Sequence, residues 1–69
     1  MKNSIKVERA KKNFTQADLA DKVRVSRQTI NSIETGKFIP STLLAFKIAQ
    51  VFNEKVDNLF ILEEEDWNV

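Results

Sequence analysis

Apolar residues recur along this chain at helical spacing, in short runs separated by residues that end helices. Ile5 and Arg9 lie four apart, so one side of a first helix from about Ser4 to Lys12 carries both, and Asn13 suits the turn after it. Thr15 is a good N-cap for a second helix, which sends Leu19, Ala20 and Val23 to the core and ends near residues 22–23. After a tight connection at "RV", Ser26 caps a third helix in which Ile30 and Ile33 fall close together. Gly36 fits the left-handed residue that closes it. The loop "KFI" and Pro40 lead to a fourth helix, capped by Ser41 or Thr42 and running to about Phe52, with Leu44, Ala45, Ile48, Ala49 and Phe52 as its apolar stripe. Asn53 ends it, a fifth short helix covers about Val56 to Phe60, and the start of "FILEEEDWNV" reads as a strand. The pattern predicts an all-α bundle of five short helices, with the five Phe spaced as core and satellite packing.

Length and composition narrow what such a bundle can do. At 69 residues, 42% of them hydrophobic, the chain is one domain with a core near the lower limit for unaided folding, so its function belongs on a surface. It has no Cys and no His, which excludes disulfides, zinc sites of the usual ligand types, and imidazole or thiolate catalysis. The carboxylates at 63–66 are adjacent rather than held across a cleft, so they lack the geometry of paired acid and base work. No enzyme, cofactor, metal or small-molecule ligand is expected. The opening "MKNSIKVERA" resembles neither a secretion signal nor a membrane span, and the expected location is the cytoplasm.

The net charge of +1 hides an uneven distribution. Residues 1–47 hold ten Lys and Arg against four acids, whereas residues 48–69 hold only Lys55 against six. The basic part suits a polyanion and the acidic part would be repelled by one, although a solvated surface with chance asymmetry gives the same count.

The third helix separates these two possibilities further. Two short helices joined by about four residues, the second with a one-sided polar surface, fit helix-turn-helix geometry. At about 100° per residue, Ile30 and Ile33 take one side, while Arg27, Gln28, Asn31, Ser32 and Thr35 share an arc without acids. Gln and Asn present a paired donor and acceptor to adenine, Arg forks onto guanine, and Ser or Thr serves several bases. A helix kept only for solubility would favour Glu, Lys and Ala by propensity. Gln16 at the start of the second helix and Ser26, Arg27 and Gln28 at the start of the third sit beside exposed amides and positive dipole ends that suit phosphates. Lys37 is placed for a third phosphate, whereas Lys6, Lys11 and Lys12 read as a solvated face.

Together these residues resemble a known family. "FTQADLADKVRVSRQTINSIETGKFIPS" is similar to the Cro/repressor-type, lambda-repressor-like helix-turn-helix domain of transcriptional regulators, in which TQ-x-x-LA, a turn, S-R/Q-x-T-I, E-x-G-K and P-S recur. The resemblance covers about residues 4–60 and suggests the short stand-alone type. It implies that Gln16 touches phosphate and steadies the recognition helix, that Ser26 caps that helix at the groove edge, and that Arg27, Gln28 and Ser32 read bases. Arg9 and Glu34 match a pair that ties the first helix to the third; alternatively, Arg9 contacts phosphate and Glu34 is solvated. Two positions depart from the pattern. Glu8 stands where Leu usually precedes the Arg, so Val7 is buried in its place or the helix rotates slightly. Arg24 stands where many members have Gly, which implies a different turn or a modest strain cost.

The expected partner is double-stranded DNA. One such unit reads few base pairs, so a homodimer on a pseudo-palindromic operator, with half-sites about 34 Å apart, is expected. Residues 61–69 form a C-terminal extension of the single domain at 1–69, and Leu59, Phe60, Ile61, Leu62 and Trp67 are the expected dimer interface unless the tail is frayed. Small relatives pair an N-terminal strand with a C-terminal one, and "KNSI" and "FILEE" suit that small β extension. The function expected is sequence-specific transcriptional regulation, as a repressor by occlusion. The alternative is a protein-interaction module, such as an antitoxin or adaptor, with secondary DNA binding.

Overall fold

In a computed structural model describing residues 1–69, the elements run β1 (Lys2–Asn3), α1 (Ile5–Lys12), α2 (Gln16–Val23), α3 (Arg27–Glu34), α4 (Thr42–Val51), α5 (Val56–Leu59) and β2 (Phe60–Ile61). A closing 3-10 helix covers Glu64–Asn68. The first four helices all stop in the same way. A residue of positive φ follows each of them: Asn13 at 58°, Arg24 at 62°, Gly36 at 80° and Asn53 at 54°. In every case that residue's amide donates to the carbonyl three residues back, and the next amide to the carbonyl five back. This double closure satisfies two carbonyls that a helix end otherwise leaves to solvent. It also settles the connection at Arg24, which keeps the left-handed turn and holds an Arg in it.

The helix starts are equally local. Thr15 Oγ1 accepts from the Asp18 amide at 3.0 Å while Asp18 accepts from the Thr15 amide at 2.9 Å, a reciprocal capping box. Ser26 and Ser41 cap α3 and α4 by accepting from Thr29 and Leu44. Ser41, rather than Thr42, therefore fills that role. α1 has no side-chain cap from Ser4; instead Asn3 Oδ1 accepts from the Ile5 amide at 3.2 Å.

One core gathers Ile5 from α1, Leu19, Ala20 and Val23 from α2, Ile30 and Ile33 from α3, the predicted α4 stripe through Phe52, and Leu59 and Phe60. α5 has only four residues and no side-chain cap, so it depends on the burial of Leu59 rather than on propensity. Phe60, expected to end α5, instead begins β2, which pairs antiparallel with β1 in the register Lys2 to Ile61 and Asn3 to Phe60. Two other expectations are corrected. Val7 is exposed, and Glu8 lies along the helix with its carboxylate 3.0 Å from Lys11. Phe38 and Phe46 also stand outside the core, which takes only Phe52 and Phe60 fully and Phe14 in part.

The C-terminal extension is ordered against the first residue rather than frayed. The Met1 amine lies 3.0 Å from Glu63 and 3.1 Å from Asp66, while Asp66 also accepts from the Glu63 amide at 2.7 Å. That amide, followed by the Met1 ammonium, holds the Asp66 carboxyl below its usual range. No helix is long and apolar enough to cross a membrane.

Candidate nucleic-acid interface

The interface is anchored from inside the protein. Arg9 on α1 and Glu34 at the end of α3 form a two-pronged pair, with Nε to Oε2 at 2.7 Å and Nη2 to Oε1 at 3.0 Å. Only 14% and 7% of the two side chains are exposed. Arg9 Nη1 donates to the Phe14 carbonyl at 3.0 Å, so the guanidinium also holds the α1–α2 turn. Hydrogen bonding to Glu34 raises the Arg9 pKa against the opposing effect of burial, so the guanidinium keeps its charge. Of the two roles open to Arg9 in the sequence, the ion pair is the one formed.

Gln16, the first residue of α2, extends this anchor to the surface. Its Nε2 donates to Glu34 Oε1 at 3.3 Å and to Asn31 Oδ1 at 3.1 Å. Its Oε1 accepts a long contact, 3.5 Å, from Arg27 Nη1. A continuous path thus runs from Arg9 through Glu34 and Gln16 to Asn31 and Arg27, two of the expected base readers. Side chains fixed this way lose less freedom when a ligand engages them.

The other predicted residues are placed as follows. Gln28 is exposed on the first turn of α3 and makes no internal side-chain hydrogen bond. Arg27 and Gln28 occupy the first two helical positions, whose amides the helix itself leaves free, above the Ser26 cap. Ser26 Oγ also lies 2.9 Å from the Thr29 hydroxyl. Ser32 is half-buried, and its carbonyl accepts from the amides of Lys37 and Phe38 at 2.9 and 3.1 Å. Thr35, on the same arc, turns its hydroxyl back to the Asn31 and Ser32 carbonyls and is closed on itself. Lys37 is exposed beyond the Gly36 turn with no ion-pair partner.

The expected dimer residues divide. Leu59 and Phe60 are 0% and 7% exposed and belong to the monomer's core, into which α5, packed on α4, and the start of β2 carry them. Ile61, Leu62 and Trp67 are exposed. A residue absent from the predicted set is Asn3, whose Nδ2 donates to the Ile33 carbonyl at 3.0 Å and so ties β1 to the last turn of α3. Its only sequence signal was an Asn two residues before an apolar helix start.

Comparison with known proteins gives a consistent result. A family model described as helix-turn-helix matches residues 5–59. The chain is 54% identical over 66 residues to an HTH-type transcriptional regulator of Methanocaldococcus jannaschii, covering 96% of this chain and 100% of that one. It is 46% identical over 66 residues to one of Bacillus subtilis, with the same coverage. Among solved structures, the clp gene regulator ClgR of Corynebacterium glutamicum is similar with a TM-score of 0.74 at 25% identity, over 80% of this chain and 58% of that one. With the capped α2–turn–α3 unit in place, the chain belongs to the Cro/repressor-type helix-turn-helix family of DNA-binding transcriptional regulators, which are not enzymes.

Proposed function

We propose that the protein is a cytoplasmic transcriptional repressor that reads double-stranded DNA with α3 in the major groove, as a homodimer on a pseudo-palindromic operator. Residues 1–69 act as one domain, with the reading unit at about 4–60. Arg27, Gln28, Asn31 and Ser32 face base edges, while Gln16, Ser26 and Lys37 meet phosphates. One observation carries most weight: Gln16 ties Asn31 and Arg27 to the buried Arg9–Glu34 pair, so the polar edge of α3 is held in place rather than merely solvated. Repression by occlusion is the mode of regulation that DNA occupancy alone supplies.

Selection of bound duplexes from a random pool, followed by titration of the preferred site, tests this function. Gln28→Ala should weaken that site by about 1–3 kcal/mol and leave nonspecific binding intact. Lys37→Ala should weaken all duplexes alike and reduce the salt slope by about one. Equal loss on every sequence for Gln28→Ala would remove its base-reading role, and a selected site without two-fold symmetry would count against the dimer.

A further inference from the structure

α4 is apolar on two faces, and the chain covers only one of them. Leu44, Ala45, Ile48 and Ala49 are buried, but Leu43 and Phe46, one turn apart on the opposite side, are 67% and 59% exposed. A helix that is apolar nearly all round is one that is normally enclosed. Exposed apolar surface of this kind, with polar edges, marks an interaction site.

Phe46, with Gln50, forms the shared wall of two adjoining grooves whose charges differ in sign. On one side Val23, Leu43 and Val51 adjoin Lys22, Arg24 and Lys47, with no acid among the lining residues. On the other, Ala49 and Val56 adjoin Glu54 and Asp57, with Lys55 as the one cation. The patch therefore has an apolar centre, a basic edge and a predominantly acidic edge. A two-fold axis through such a centre, lying across the line that joins the two edges, sets each copy's basic edge against its partner's acidic edge, a self-complementary arrangement of the kind an isologous interface uses. DNA does not fit this face, because Glu54 and Asp57 would repel phosphate. The C-terminal apolar residues do not offer that arrangement. Ile61, Leu62 and Trp67 flank a run of four acids, of which the Met1 ammonium engages Glu63 and Asp66 and leaves Glu64 and Glu65 without a cation, so pairing two such tails would bring like charges together.

We propose that the exposed face of α4, centred on Phe46, is the surface on which a second copy of this chain docks. This rests on the homodimer reading above and moves the pairing surface from the C-terminal extension to α4.

Sedimentation of the full chain tests it, with circular dichroism and a thermal melt confirming the fold of each variant. Phe46→Glu and Leu43→Lys, both at exposed positions, should keep the fold and raise the dimer dissociation constant by about tenfold or more. Trp67→Ala should leave it unchanged. Lys47→Glu and Asp57→Lys should each weaken self-association, and mixing the two should restore a heterodimer, because each mutant edge then meets its opposite. A wild-type chain that stays monomeric, a Phe46→Glu chain that pairs normally, or dissociation by Trp67→Ala would overturn the proposal. Duplex binding by the wild type is measured separately: a dimer that binds no DNA would refute the function and leave this surface standing.

Discussion

Arg24 occupies a conformation suited to Gly, and replacing it should make the protein more stable. Its φ of 62° and ψ of 47° lie in the left-handed region, its side chain is exposed, and it makes no side-chain hydrogen bond or ion pair. A left-handed L-residue costs about 1–2 kcal/mol from the Cβ against the following carbonyl. Gly removes that cost but gives the unfolded chain more freedom, worth roughly 0.5–1 kcal/mol in the opposite direction. The difference predicts that Arg24→Gly stabilises by about 0.5–1 kcal/mol.

Gly36 supplies the reverse experiment in the same motif. Its φ is 80°, and a Cβ added there would meet nothing within 4 Å, so Gly36→Ala isolates the backbone cost without a clash. It should destabilise by about 1 kcal/mol. In a chain of this size such changes move the melting temperature by roughly 4–8 °C per kcal/mol, in opposite directions for the two variants. Urea and thermal melts at a protein concentration low enough that self-association does not contribute provide the assay, since Arg24 also lies on the basic edge beside Phe46. An Arg24→Gly variant that is neutral or less stable, with an unchanged denaturant slope, would refute the assignment of strain to this turn.

Two further outcomes follow from the anchors. Arg9→Met leaves the nearly buried Glu34 carboxyl without its cationic partner and should cost about 3 kcal/mol, whereas Arg9→Met combined with Glu34→Leu should recover much of that loss; additive single and double mutants in urea melts would deny the coupling. The Asp18 carboxyl is held below its usual range, chiefly by the Thr15 amide that donates to it. Its ionised form therefore stabilises the native state above the unfolded pKa of about 3.9, and that contribution disappears as the pH falls through the lower folded value. Stability measured from about pH 6 down to pH 2 should fall less steeply for Asp18→Asn than for the wild type, and parallel curves would count against it.

What the sequence made legible was whatever is decided within a few residues. Caps at Thr15 and Ser26 and the stop at Gly36 depend on contacts no more than five residues away, the α4 stripe depends on a local period, and all are found where the pattern placed them. The Arg9–Glu34 pair spans 25 residues and was legible only through family resemblance, since no local rule joins α1 to α3. Asn3 escaped because its partner, the Ile33 carbonyl, lies 30 residues away and a backbone acceptor has no sequence signature. Phe38 and Phe46 were misjudged because helical periodicity gives which residues share a face but not whether another element covers it. Leu59 and Phe60 were misjudged for the converse reason: a consecutive apolar run always has one side in and one side out, and where α5 yields to β2 decides which.

The same limit explains how the charge asymmetry should be understood. Counted along the chain, it separates a basic half from an acidic half, as if the second were simply to be kept from DNA. In space the acids have several settings. Glu63 and Asp66 are engaged by the Met1 ammonium, Glu54 accepts from Asn58, and Glu54 and Asp57 edge one groove beside Phe46 while Lys22, Arg24 and Lys47 edge the other. A purely basic protein of this size would bind DNA without a preferred face and would resist pairing through self-repulsion. Placing acids beside α4 instead denies that face to phosphate and gives it an edge that a second copy can match. Sequence-specific reading by a module this small needs both effects, because the affinity of one α3 for a few base pairs becomes useful only when a second is held at a fixed distance from it.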